Sequence, residues 1–359
     1  MNNKKISVLT TLYNHEAYIK ETLESAISQS LMPDEIIVID DASSDSSLNI
    51  VASITHPALH VICEPYNLGG ATTMKGLEAC TGDYVAILNS DDSWEKDKLN
   101  KQMLYMEQNP GCGIVFTRVK ILDSESRPIP KGSHQLTSVF SLENRDCPSW
   151  LRHFFYHGKA FCVSSALIRR ECLDRIGPLN GKFIQLQDFD FWFRAAMAGF
   201  ELHVIEDVLT NYRITLGTNM STPNRSSLAV FQLEFVRVLK HLWQLETLAQ
   251  LRNVFPELVF HPDADDGLTL FYLARLAAQQ GTPHHRLFAA ETLFHWSANE
   301  QAMRNAQKCH GFGFQEYAAM MADTPLRNDL QPALRSFLRT FLVRVTPQWC
   351  IPLWRRWTA

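Results

Sequence analysis

The run Tyr84-Val85-Ala86-Ile87-Leu88 passes without a break into Asn89-Ser90-Asp91-Asp92, setting two adjacent carboxylates at the C-terminal end of a segment apolar enough for a buried strand. A strand covered on both faces belongs to a parallel sheet with helices on either side. In such sheets ligands collect in the crevice beyond the carboxyl ends of the strands. Hard carboxylate oxygens at that place suit Mg²⁺ or Mn²⁺ carrying a phosphate-bearing substrate. The competing reading is local: Asp and Ser are favoured N-caps, and Asp91-Asp92-Ser93-Trp94 would then only start the next helix.

The flanking sequence supports the sheet. Ile6–Leu12 is a short run rich in β-formers, and Ile19, Leu23, Ala26 and Ile27 recur at helical spacing. Met32-Pro33-Asp34 breaks that helix before a second apolar run, Glu35–Ile39. A helix near 46–54, a run at Leu59–Cys63 and a helix near 72–80 follow. Repeated βα units with continuous apolar strands predict an α/β fold with a mainly parallel sheet. A dinucleotide-binding Rossmann turn needs glycine after the first strand, and Thr11–Glu16 contains none. Further on, Gly113–Leu122 and Val163–Ile168 read as strands, Asp188–Ala198 as a helix, and Glu201–Arg213 as strand and loop. Gly217–Ser227 reads as a linker, after which Leu228–Leu248, Asp266–Gln279 and His285–Ser297 are helical. Two domains are expected, 1–220 α/β and 221–359 all-helical.

Composition narrows the partners. A net charge of −4 argues against nucleic acid. The eight cysteines show no CxxC or Cys/His metal spacing, and in a chain of this size they read as reduced core residues of a cytoplasmic protein. Met1-Asn-Asn-Lys-Lys leads straight into a β-like run rather than a signal-peptide core, and no stretch is apolar for long enough to span a bilayer.

Four elements carry the chemistry: Thr10–Asn14, Asp40–Asp45, Asn89–Asp92 and Gln187–Trp192. The first three each follow an apolar run, which sets them on one sheet edge. A carboxylate at the tip of strand two can accept a hydrogen bond from a nucleobase, and Asp91 and Asp92 can hold a ribose and a metal further along the same crevice.

Taken in order, Val8–Asn14, Ile39–Asp45, Asn67-Leu-Gly69, Gly82–Asp92 and Gln187–Trp192 resemble the family 2 glycosyltransferases, which have the GT-A fold, over about residues 4–215. The resemblance implies that Thr10 and Asp41 contact the base of a nucleotide-sugar, commonly uridine, with Tyr13 packed nearby. It implies that Asp91 bonds the ribose and that Asp92 ligates Mn²⁺ or Mg²⁺. Asp188 takes the position of the general base of an inverting transfer, with Asp190 two residues away as its competitor on the acceptor side. Trp192 is the candidate to stack on a sugar, against a core reading. Lys75 offers a positive charge where the family commonly has an Arg-Asn pair, and Arg213 either reaches the diphosphate from a closing loop or makes a surface salt bridge. Gln187 stands where Glu is usual. The processive Gln-x-x-Arg-Trp motif is absent, which implies transfer of a single sugar, to a saccharide or lipid-linked glycan. The rival functions are a metal-dependent nucleotidyltransferase and a non-catalytic nucleotide-sugar scaffold.

In the last thirty residues, 330–359, arginines alternate with apolar positions and are followed by Trp349, Trp354 and Trp357. This pattern suits an anionic membrane surface, giving a peripheral protein. The competing and preferred reading is a helix packed on the catalytic domain, or a homo-oligomer contact, with the tryptophans filling the seam. His284-His285 and Asp263–Asp266 lack metal spacing and read as helix starts.

Overall fold

The computed structural model describes residues 4–130, 140, 143–158, 161–215 and 225–322. They form two compact units. The first holds the described residues up to Leu242 together with Asn253–Pro256; the second holds Trp243–Arg252 and the described residues from Glu257 onward.

The first unit is built on an eight-stranded sheet. Its strands are β1 (Ile6–Leu12), β2 (Glu35–Asp40), β3 (Leu59–Cys63), β4 (Tyr84–Ile87), β5 (Ser93–Trp94), β6 (Cys112–Leu122), β7 (Leu167–Arg169) and β8 (Glu201–Arg213), in the order β3-β2-β1-β4-β7-β6-β8-β5. β1 to β4 run parallel, with Thr10 level with Val38 and Val8 level with Ala86. β7 is antiparallel to both its neighbours, and β6 pairs in parallel with β8. This is the mixed, mainly parallel α/β sheet that the apolar runs predict. The order reverses between β1 and β4, which makes the ends of these two strands the switch point where a ligand crevice opens.

Alternation along the strands covers both faces. Val8, Leu12, Ile36, Val38, Ala86 and Leu88 join Leu23, Val51, Leu99 and Met103 in one core. On the opposite face the helix Gly70–Ala79 packs closely, with Gly76 against Leu9 and Ile39. An aromatic group consolidates the unit: Trp150, Phe154, Phe161, Phe116 and Trp192 meet with ring centroids 4.0–6.5 Å apart.

Three elements depart from the sequence reading. The helix after the carboxylate pair begins only at Lys98, and Ser93-Trp94 instead form β5 against β8, so the helix-cap reading of that segment does not hold. Val163–Ser165 is a 3-10 turn rather than strand, because the Ser164 hydroxyl is drawn to Asn89 and Asp92. The expected boundary at residue 220 falls ahead of the helix Arg225–Leu239, which is part of the first unit.

The second unit is helical. Thr269–Gln279 and Pro283–Trp296 pair through Phe271 and Trp296, and Glu300–His310 and Phe314–Ala322 follow. Thr282 caps its helix by accepting the His285 N–H, and Asp265 caps its turn by accepting from Gly267, as helix-start residues do. Among the described residues no helix is long and apolar enough to cross a membrane. The stretch 330–359, with its membrane or oligomer reading, lies outside the described residues.

Candidate active site

The loops that leave β1, β2 and β4 are tied together by side chains. Asn14 adopts φ +51°, a left-handed conformation that Asn tolerates better than most residues. Its Oδ1 accepts the Ser44 N–H at 2.7 Å. His15 donates its N–H to Ser47 Oγ at 2.9 Å, while its Nδ1 lies 2.7 Å from Ser90 Oγ. Glu16 and the Asp45-Ser46 segment bond reciprocally, at 3.0 and 2.8 Å. The β1 loop therefore bridges the β2 and β4 loops across the switch point. At its rim Tyr13 is 47% exposed and free to pack on a ligand. Thr10 is 0% exposed within β1, and among the described residues its hydroxyl has no partner. Its neighbour Thr11, on the alternate face, is half-buried at the strand end.

Asp41 is buried and has its own task. Its Oδ1 and Oδ2 accept the N–H groups of Leu68 and Gly69 at 2.6 and 2.9 Å. Gly69 has φ +57°, and a Cβ on Gly70 would collide with the Gln187 side chain and with the Gly181 carbonyl. The loop that Asp41 anchors thus lies directly against the segment that leads to Asp188. Lys75, on the helix Gly70–Ala79, is committed to an exposed ion pair with Glu64 at 2.6 Å, and that hydrogen bond lifts its pKa above the ordinary lysine value.

Asp92 is almost fully enclosed. Its Oδ1 accepts the Arg213 backbone N–H at 2.9 Å and its Oδ2 accepts the Ser164 hydroxyl. Burial, and then the neighbouring Asp91 carboxylate, push its pKa well above the usual carboxylate range, against the opposing pull of Ser164 and Arg213. Asp91 is half-buried and also shifted upward by burial, with His15 and Arg213 opposing. Among the described residues the Asp91 carboxylate accepts from no residue but its own backbone, which leaves its lone pairs for a ligand. The Thr22 hydroxyl lies within hydrogen-bond distance of the Ser90 and Asp92 carbonyls and steadies the turn.

Arg213 makes the ion pair of one of its sequence readings, with the half-exposed Glu21, but from a buried position rather than at the surface. It is 1% exposed at the end of β8. Its guanidinium donates to the Asp91 carbonyl at 2.8 Å, to Ser126 Oγ at 2.7 Å and to Glu21 at 2.8 Å, and it covers the Tyr18 ring. It is a buried strut beneath the carboxylate pair.

Asp188 and Asp190 both fall in the first turn of the helix Gln187–Met197, where carboxylates face the positive end of the helix dipole. Their side chains diverge. Asp188 accepts the Phe189 N–H at 2.8 Å. Asp190 is paired on one oxygen with Arg194 and on the other with His241 Nε2, each at 2.8 Å. Trp192 is 0% exposed, with Phe116 and Phe161 edge-on to its ring, so the core reading holds and the sugar-stacking expectation is not met. Ser164, Thr22 and His15 escaped the sequence reading, because their roles depend on partners 68 to 75 residues away.

The β1, β2 and β4 tips thus meet at the switch point beside a paired carboxylate, and a further carboxylate stands at a helix start. Residues 7–177 match the family described as Glycosyl transferase family 2. These residues form a family 2 glycosyltransferase domain. Among similar proteins, the glycosyltransferase TuaG of Bacillus subtilis (strain 168), named as putative in teichuronic acid biosynthesis, is 29% identical over 248 residues, 66% of this chain and 92% of that protein. WfaP of Escherichia coli, a UDP-Glc:alpha-D-GlcNAc-diphosphoundecaprenol beta-1,3-glucosyltransferase, is 28% identical over 216 residues, 59% of this chain and 78% of its own. The fold of S. aureus TarS 1-349 superposes with a TM-score of 0.52 at 17% identity, over 86% of this chain and 93% of that one. The UDP-GlcNAc complex of the same protein gives 0.50 at 17% identity, with the same coverage. At that identity the likeness to TarS is one of fold.

Proposed function

We propose that this glycosyltransferase moves a single sugar from a UDP-sugar to a hydroxyl of a saccharide or lipid-linked glycan with inversion, and that Asp188 is its general base. The observation that carries the reading is the contact of the Asp41-anchored loop, through Gly70, with Gln187 beside Asp188. It supports a reading in which the donor side and the base are neighbours. The acceptor oxygen attacks the anomeric carbon, the bond to the diphosphate breaks, and UDP leaves with its electron pair while Asp188 takes the hydroxyl proton. Asp190 is unsuited to that task, since both its oxygens are committed to Arg194 and His241. WfaP acts on a lipid-linked acceptor and the TarS complex holds UDP-GlcNAc, which supports this donor and acceptor class.

A divalent ion fits the carboxylate pair. Both groups have pKa values raised by burial, so a cation would relieve the cost of their charge, and Asp91 has open lone pairs. Among the described residues no three His, Cys, Asp or Glu gather in a metal-holding set, so the protein's share is this pair. Phosphate oxygens and water complete such sites for Mg²⁺ and Mn²⁺. When bound, the ion supplies charge neutralisation for the leaving diphosphate. Because Thr10 is buried within β1, the exposed Tyr13 is the β1 residue we assign to the base of the donor.

The test is UDP release from UDP-glucose and UDP-N-acetylglucosamine with Mn²⁺, alongside a thermal-shift measurement of binding. Asp188→Asn should keep binding and lose about 10²- to 10⁴-fold in turnover. Near-native turnover in that variant, or no binding of any nucleotide-sugar by the native chain, overturns the reading.

A further inference from the structure

Glu234 stands on the helix Arg225–Leu239, beyond the family match and beyond every motif. Its carboxylate is 4% exposed and accepts three consecutive backbone N–H groups: Ile184 at 2.5 Å, Gln185 at 2.9 Å and Leu186 at 3.0 Å. These amides immediately precede Gln187, the first residue of the helix that bears Asp188. Leu186 is the N-cap of that helix, so the carboxylate ties down the cap and the two residues leading into it, at the end where the helix dipole favours negative charge. Gln185 Nε2 adds a bond to the Ser227 carbonyl at 2.9 Å. Burying a carboxylate is costly without such donors, so Glu234 and the 184–186 backbone are each ordered by the other.

The same strip is anchored independently. Phe235 stacks on Phe189 at 5.5 Å, and His241 meets Asp190. These contacts keep the strip docked when Glu234 alone is altered.

We infer that Glu234 is a positioning residue for sugar transfer: by fixing the three amides before Gln187 it sets where the Asp188 carboxylate lies relative to the donor. The inference rests on the reading of Asp188 as the base. A displacement of roughly 1 Å at a reacting group costs on the order of 10²-fold in rate. The effect therefore belongs in kcat, not in donor binding.

The experiment compares the full chain with Glu234→Gln and with Glu234→Asp, which keeps the charge on a shorter stem. UDP release from UDP-N-acetylglucosamine with Mn²⁺ is measured beside hydrogen exchange at each amide. The expected result for Glu234→Gln is a kcat lower by about 10- to 100-fold, a donor KM within about threefold, and faster exchange confined to amides 184–186. Glu234→Asp should recover part of the rate. A native kcat per folded molecule, parallel changes in kcat and KM, or unchanged exchange at 184–186 overturns the inference. If neither variant folds, Glu234 serves stability and the inference is likewise overturned. Asp188→Asn, run in parallel, separates the two claims: a native rate there removes the base reading itself, whereas a lost rate there beside a native rate in Glu234→Gln removes only the positioning role.

Discussion

Ser164 donates its hydroxyl to Oδ2 of Asp92 and, through the same oxygen, receives the Asn89 N–H at 3.1 Å. One side chain from the 3-10 turn before β7 therefore closes the loop that presents the carboxylate pair. Ser164→Ala leaves a buried carboxylate short of a donor, and hydrogen bonds to charged groups contribute about 1.5–3 kcal/mol. Urea unfolding should show a loss of about 2 kcal/mol. A change below a few tenths would mean that Asp92 finds another donor.

Gly70 has no room for a methyl group between the Gln187 side chain and the Gly181 carbonyl. Gly70→Ala should cost about 1–3 kcal/mol through overpacking, and should lower UDP-sugar turnover by more than the lost folded fraction accounts for. Turnover that tracks the folded fraction alone would dissociate this contact from the reaction.

The Lys98 amine is fully buried, 4.0 Å over the Trp94 ring, and donates to Gln102 Oε1 at 2.8 Å. Burial holds its pKa well below the ordinary lysine value. Between that lowered pKa and the unfolded value of about 10.4, the unfolded chain binds a proton that the folded chain does not. Stability should therefore rise with pH across this window and fall as pH drops through it, by up to about 1.4 kcal/mol per pH unit. Lys98→Met should abolish the rise, as read from urea midpoints between pH 7 and 10. Equal slopes in the two proteins would contradict the assignment.

Arg213 joins the Asp91 carbonyl, Glu21 and Ser126 from a buried position. Lysine cannot reproduce its fork. Arg213→Lys should lose about 2–3 kcal/mol while the folded protein keeps its donor KM. A KM raised tenfold or more at unchanged stability would return Arg213 to the diphosphate.

Mn²⁺ should raise the melting temperature of the native chain, and EDTA should reverse the gain. At a hundredfold excess over Kd the stabilisation is about 2.7 kcal/mol. It should shrink at acid pH, because protons compete for two carboxylates whose pKa values burial has raised. Asp91→Asn should weaken it, and an undiminished shift in that variant would move the ion elsewhere.

Much of the sheet was legible because β1, β2 and β4 are continuous apolar runs with polar tips, a pattern set by local sequence. The grouping of the tips was legible for the same reason. What the sequence did not reveal depends on distant partners. Arg213 looks like a loop residue until β8 carries it beneath Asp91. Trp192 offers a sugar platform until Phe116 and Phe161 surround it. Thr10 differs from Thr11 only by strand parity, and a single-residue step moves a side chain to the other face of the sheet. Glu234 has no local signature at all, since its partners lie about fifty residues upstream.

The return of Asn253–Pro256 to the first unit bears on how this protein can be cut or recombined. A shortened chain ending near 215 would retain every motif yet lack Glu234, His241 and that returning segment. Grafting the region onto a relative, or swapping helical tails between relatives, calls for a junction beyond Pro256. Hybrids joined at the apparent linker would inherit the donor machinery without the brace that aims it.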